Sequence, residues 1–387
     1  MSSKTELIPL AIPAVGTREA KYLMECVETN FVSTVGPFTT QFERLVAEAT
    51  SASQCVATSA GTTGLHAALV TLGVGRDDLV IMPSFTFIAS ANAIAHCGAA
   101  PWLMDVRSND WLLDFDQVEH ELAKNAYRHR DGRLIHRPSG RRIAAIMPVY
   151  TLGTVTDLDA QLAIGRQHNL AIIADAAAAL GATWRGRNFA EGADLSVISF
   201  NGNKIITCGG GGAIVGDDEP LMTQARHLTT TARTSADYTF DEVGYNYRIT
   251  NVQAAIGCAQ MERLQEFVAA KRAIRARYDA ELSGIAGVRT FPNQTNEGSV
   301  CWLSGLVLDG DDHPSPLQLA SKLREEHIEA RPFWKPVHLQ PPYSLAPRAN
   351  LDVTEAIWSR IITLPCSTSL TPEQQSRVIS KVRSELT

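Results

Sequence analysis

Residues 195–212 read LSVISFNGNKIITCGGGG. Leu195–Ser199 is a short apolar run of strand length, and Gly212–Val215 is a second one. Between them a polar turn delivers one lysine, Lys204, followed by four consecutive glycines. A lysine that reacts as a nucleophile needs a fixed, desolvated position, and glycines let backbone approach it closely because they carry no Cβ. The two common nucleotide loops do not fit this spacing, since neither Gly-x-x-x-x-Gly-Lys-Ser/Thr nor Gly-x-Gly-x-x-Gly is present. Standing alone, the segment reads as a surface lysine beside a flexible turn.

Its neighbours change that reading. Upstream, Leu170–Ala174 is another buried-type strand and ends in Asp175, where an open α/β sheet places its ligands. An aspartate there either caps the next helix or faces a cofactor pyridine and keeps its nitrogen protonated. Further upstream, Ser59-Ala60-Gly61-Thr62-Thr63-Gly64 follows the strand Gln54–Thr58 and opens a helix over Gly64–Leu72. Backbone N–H groups and hydroxyls at such a helix start suit a phosphate. After the strand Leu79–Met82 comes Pro83-Ser84-Phe85-Thr86-Phe87, whose aromatics are either core or a stacking surface for a ring. Strands are also expected over Ala100–Asp105 and Ala144–Val149, and helices over Ala89–His96 and Leu158–His168. Strands alternating with helices predict an α/β sheet covered on both faces.

The chain has 387 residues, 45% of them hydrophobic, which suits one large domain and a smaller one. We expect the large domain over residues 13–250 and a small α+β domain over 251–387, with residues 1–12 packing on the latter. One amphipathic linking helix is expected from about Asn251. The balance of 35 basic and 41 acidic residues argues against a nucleic-acid partner. The N-terminal segment lacks the pattern of a signal peptide, and no apolar run has spanning length, so a cytoplasmic enzyme without membrane attachment is expected. Seven scattered cysteines without a Cys-x-x-Cys pair suggest neither a disulfide framework nor a metal site. The basic stretch Lys124–Arg142 reads as a solvated hairpin rather than a phosphate patch.

Taken in order, phosphate cradle, aromatic, aspartate and lysine resemble the fold-type I pyridoxal-phosphate aminotransferases, and within them the DegT/DnrJ/EryC1/StrS family. The resemblance extends through Ile8-Pro9-Leu10, Phe31–Gly36, Gly244–Arg248 and Arg331–Gln340. It implies a large mixed seven-stranded sheet domain, a small α+β domain, and pyridoxal 5'-phosphate as cofactor. Lys204 would form the Schiff base and move the proton, and Asp175 would pair with the ring nitrogen. Thr62, Thr63 and Ser199 would hold the phosphate, and Phe87 would stack on the ring. Asn246 would reach the cofactor of a second subunit in a homodimer with shared active sites. Ser33, Trp334 and His338 would line the substrate site. The implied reaction moves an amino group, with glutamate as donor, to a nucleotide-linked keto-sugar. The similarity is to enzymes acting on UDP-linked 4-keto-6-deoxy-N-acetylhexosamines for surface glycans. A sugar dehydratase on this scaffold has histidine in place of the lysine, whereas this chain keeps Lys204. A non-catalytic regulator is the other alternative. Two positions depart from the pattern: Ala178, where many members have a polar residue, and Tyr150, where a histidine is frequent.

Overall fold

The computed structural model describes residues 6–292, 298–310 and 312–387. Its largest sheet has seven strands: β1 (Gln54–Thr58), β2 (Leu79–Pro83), β3 (Ala100–Met104), β4 (Ile143–Ile146), β5 (Ala171–Asp175), β6 (Leu195–Ser199) and β7 (Gly212–Gly216). They lie in the order β1-β7-β6-β5-β4-β2-β3. Every pair is parallel except those of β7, which runs antiparallel to both β1 and β6. This is the mixed sheet expected. Strands β2 and β7 are buried along their whole length, as near-continuous apolar runs are when helices cover both faces. β4 stops earlier than the sequence suggests: Pro148 has no N–H to donate, and Val149 forms only an isolated bridge to Asp175.

Because six strands point the same way, their carboxyl ends share one edge of the sheet. The reversed strand β7 starts at that edge, so the β6–β7 connection carrying Lys204 never leaves it. Along the same edge lie the start of the helix Gly61–Thr71, the turn after β2, and Asp175. That helix begins three residues before the expected Gly64, because Thr63 folds back: its Oγ1 accepts from the Ala60 N–H (3.1 Å) and donates to the Ala60 carbonyl (2.8 Å).

The expected linking helix is two helices, Asn251–Met261 and Leu264–Leu282, interrupted at Glu262–Arg263. The first is pinned to the N-terminal part of the chain. Asn251 accepts from Phe38 N (2.9 Å), donates to the Phe31 carbonyl (2.8 Å), and its backbone N–H donates to Ser33 (2.5 Å). Beyond them a four-stranded antiparallel sheet, β8 (Val288–Thr290), β9 (Ser304–Leu308), β10 (Arg331–Pro332) and β11 (Ile361–Leu364), has the order β8-β9-β11-β10. Ile8 pairs with the segment His327–Glu329, while residues 1–5 of the expected N-terminal packing lie outside the described residues. One buried apolar cluster runs from Phe42, Phe85 and Phe200 beside the large sheet to Phe291 and Leu364 beside the small one.

The basic stretch is indeed a hairpin, Ala126–Arg128 against Leu134–His136. Its arginines are used to fasten it. Arg141 donates to the Asp77 and Asp78 carbonyls, Arg142 pairs with the Asp78 carboxylate, and Arg128 caps the His168 carbonyl.

Candidate active site

The Lys204 loop is a compact reversal. Phe200 N–H donates to the Gly211 carbonyl (2.9 Å), Cys208 N–H to that of Phe200 (2.9 Å), and Lys204 N–H to that of Asn201 (3.0 Å). Gly209 and Gly211 take φ of +76° and +115°, a region side chains disfavour. Gly212 is required for a different reason: a Cβ there would lie 2.7 Å from backbone atoms of Ala60 and Gly61. The glycines therefore bring the lysine loop against the start of the helix Gly61–Thr71. Lys204 lines a cavity of about 290 Å3 and retains partial exposure through its mouth. Its ammonium is nevertheless surrounded by protein, and burial lowers its pKa to about 8, with Asp175 opposing the shift. The Nζ lies 3.7 Å from the centroid of the Trp302 ring.

Asp175 closes β5 and is buried. Its Oδ2 accepts from the Ser90 hydroxyl (2.6 Å) and its Oδ1 from the Ala177 N–H (3.1 Å). Burial raises its pKa, while Ser90, Ala177 and Lys204 favour the ionised form. A buried carboxylate with only neutral hydrogen-bond donors beside it suits a protonated ring nitrogen, which would supply both charge and a donor. Elsewhere on the wall, Gly61 and Thr62 open the helix, with Ser199 beside them. A Cβ on Gly61 would stand 2.9 Å from the Ser199 Cβ, so the glycine lets Ser199 pack directly against the helix start. N–H groups at a helix start, two hydroxyls and a nearby lysine fit a phosphate monoester. The donor set thus fits a phosphorylated pyridine aldehyde.

Phe87 and Trp334 both line the cavity, with ring centroids 6.0 Å apart. Thr63 does not line it, because its hydroxyl is committed to the helix cap. Ser33 and Asn246 are exposed and lie outside this cavity. His338 is not brought to the cavity either. It is buried behind the wall, its Nδ1 hydrogen-bonded to Ser84 (2.7 Å) and its Nε2 3.4 Å from a Glu355 oxygen, and burial lowers its pKa. Ala178 and Tyr150 do line the cavity. The Tyr150 hydroxyl is turned inward to Gln161 (3.0 Å). Sequence reasoning missed Ser90, Asn201, Asn203 and Trp302. Ser90 lay inside an expected helix and Trp302 inside an apolar stretch, so neither carried a local signal.

A family model for the DegT/DnrJ/EryC1/StrS aminotransferase family matches residues 13–383. The chain belongs to this family. It is therefore an aminotransferase, with pyridoxal phosphate as its cofactor. The aminotransferase is 36% identical to a GDP-perosamine synthase of Caulobacter vibrioides, covering 96% of each chain. It is 31% identical to a GDP-perosamine synthase of Escherichia coli O157:H7, covering 95% of each. Among solved structures it resembles the aminotransferase TlmJ of Streptoalloteichus hindustanus, with a TM-score of 0.87 and 28% identity over 98% of this chain and 99% of that one.

Proposed function

We propose that the aminotransferase transfers an amino group from glutamate to the keto carbon of a nucleotide-linked sugar. The observation that carries this is one cavity holding a lysine of depressed pKa, a buried carboxylate and a helix start opened by Gly61. Bound pyridoxal phosphate supplies an electron sink for the carbanion formed when the substrate C–H bond breaks. The protein's own groups do the rest. The helix start, Thr62 and Ser199 anchor the phosphate, and Asp175, oriented by Ser90, holds the positive charge on the ring nitrogen. Lys204, with a pKa near the working pH, takes the proton from one carbon and returns it to another. Phe87 and Trp334 shield that exchange from water.

The similarity to two GDP-perosamine synthases favours a GDP-linked acceptor. The UDP-linked 4-keto-6-deoxy-N-acetylhexosamine suggested by the sequence blocks is the second reading. We also propose a homodimer, in which Asn246 meets the partner's cofactor and Ser33 the substrate. The exposed apolar side chains Met24, Val27, Phe31, Val32 and Val35, on the helix Thr17–Glu28 and the segment after it, support a covered face there. The test is spectroscopic. Glutamate should discharge the visible absorbance of the bound cofactor, and a GDP-linked keto-sugar should restore it faster than a UDP-linked one. Faster restoration by the UDP-linked sugar selects the second reading. A Lys204→Ala protein that transaminates at the normal rate refutes the assignment of the lysine.

A further inference from the structure

Three ties converge on Trp302. Its backbone N–H donates to the Leu152 carbonyl (3.0 Å), and its own carbonyl accepts from the Lys271 Nζ (2.9 Å). Its indole N–H donates to the Asn203 carbonyl (2.6 Å), next to the lysine itself. The residue before it, Cys301, takes φ of +51°. Such a conformation is costly for a non-glycine residue and persists where the surroundings over-determine it. Lys271 is buried as well, and it donates to the Cys366 carbonyl (2.6 Å) in addition to that of Trp302. A desolvated ammonium and a strained backbone thus converge on the orientation of one ring, and that ring's face lies under the Lys204 Nζ at 3.7 Å from its centroid.

We propose that Trp302 is the positioning residue for Lys204, holding the free ammonium against its ring face by a cation–π contact whenever the lysine is not covalently engaged. The indole fixes the turn through Asn203 and the side chain through its π face, so backbone and Nζ are set by one group. This rests on the reading of Lys204 as the lysine that bonds the cofactor. During the exchange of the amino group that lysine is released and must still reach the reacting carbon. An unrestrained lysine would lose several rotatable bonds' worth of entropy on each return. Among the described residues, Asp175, at the end of β5, is the charged group whose field reaches Lys204, and it acts in the same direction as the ring.

The test reads the lysine directly, without turnover. In the full-length cofactor-free chain, trace acetylation of Lys204 across pH, followed on its peptide by mass spectrometry, gives the titration midpoint. Because the ring stabilises the ammonium, Trp302→Leu should lower the midpoint by roughly 0.5–1.5 units, with Trp302→Phe intermediate. Should the leucine variant not fold, fluorinated tryptophans placed at position 302 keep the shape and weaken the π face. The midpoint should then fall stepwise with fluorine count while the melting temperature holds. A midpoint that stays constant across the fluorinated series overturns the proposal, and any lost activity then reports packing alone. Because this midpoint does not depend on transamination, failure of the proposed function is seen separately, in the cofactor's absorbance.

Discussion

At the scale of the residue, Lys204 and Asp175 each have a proton affinity displaced by burial, in opposite directions. For the lysine this has a consequence in the cofactor-free protein. Its folded pKa is about 8 against an ordinary 10.5, so between those values the unfolded chain binds more protons and stability rises with pH. Below pH 8 the folded state carries the full cost of a desolvated ammonium. We therefore expect Lys204→Met to be more stable than the parent at pH 7, by at most about 3 kcal/mol. The gain should shrink through the window from pH 8 to 10.5 and vanish above it. Urea unfolding of both proteins across that range checks this, and a pH-independent difference counts against it. Lysine and aspartate were both legible in the sequence, because each ends or follows an apolar run at a strand end. Ser90 and Trp302 were not, because what matters about them is a contact across the fold: Ser90 to Asp175, 85 residues away, and Trp302 to the Asn203 carbonyl, 99 away. His338 shows the converse, since it does not line the cavity that its sequence block suggested. A histidine in a recognisable block says nothing about which way its ring turns, and Ser84 holds this one behind the wall.

At the scale of the element, the glycines after Lys204 are not equivalent to the one before it. Gly212 has no room for a Cβ beside Ala60, whereas a Cβ on Gly202 would meet nothing within 4 Å. Gly212→Ala should lower the unfolding free energy by about 1–3 kcal/mol, because backbone rather than a flexible side-chain end must move. It should also weaken cofactor retention, since the displaced backbone begins the helix proposed to hold the phosphate. Gly202→Ala should leave the melting temperature within a degree or two. Equal shifts for the two substitutions would show that the loop relaxes freely. The sequence correctly announced all seven strands of the large sheet, because buried strands are short apolar runs between breakers. It misjudged element ends where a side chain or a proline intervened, at Thr63 and at Pro148. It also merged two helices into one, since the apolar spacing persists across the break at Glu262–Arg263.

At the scale of the whole molecule, the exposed apolar residues of the helix Thr17–Glu28 and its following segment carry the expectation of a dimer. Val27→Glu would place a charge in the middle of that face, where desolvating it without a partner is costly. Light scattering should show the parent as a dimer and this variant shifted toward monomer, with cofactor affinity falling in parallel if Asn246 acts across the interface. A parent that is monomeric at micromolar concentration removes the shared-site reading. The order of the chain adds a matter of timing. The helix Gly61–Thr71, Asp175 and Lys204 all begin before residue 205, whereas the cavity-wall residues Trp302 and Trp334 lie about 100 and 130 residues further on. At a synthesis rate of about 5–20 residues per second, the lysine emerges from the ribosome on the order of 5–20 s before Trp302 does. For that interval the nascent chain carries Lys204 with no wall to desolvate or restrain it, so the lowered proton affinity of its amine is a product of finished synthesis.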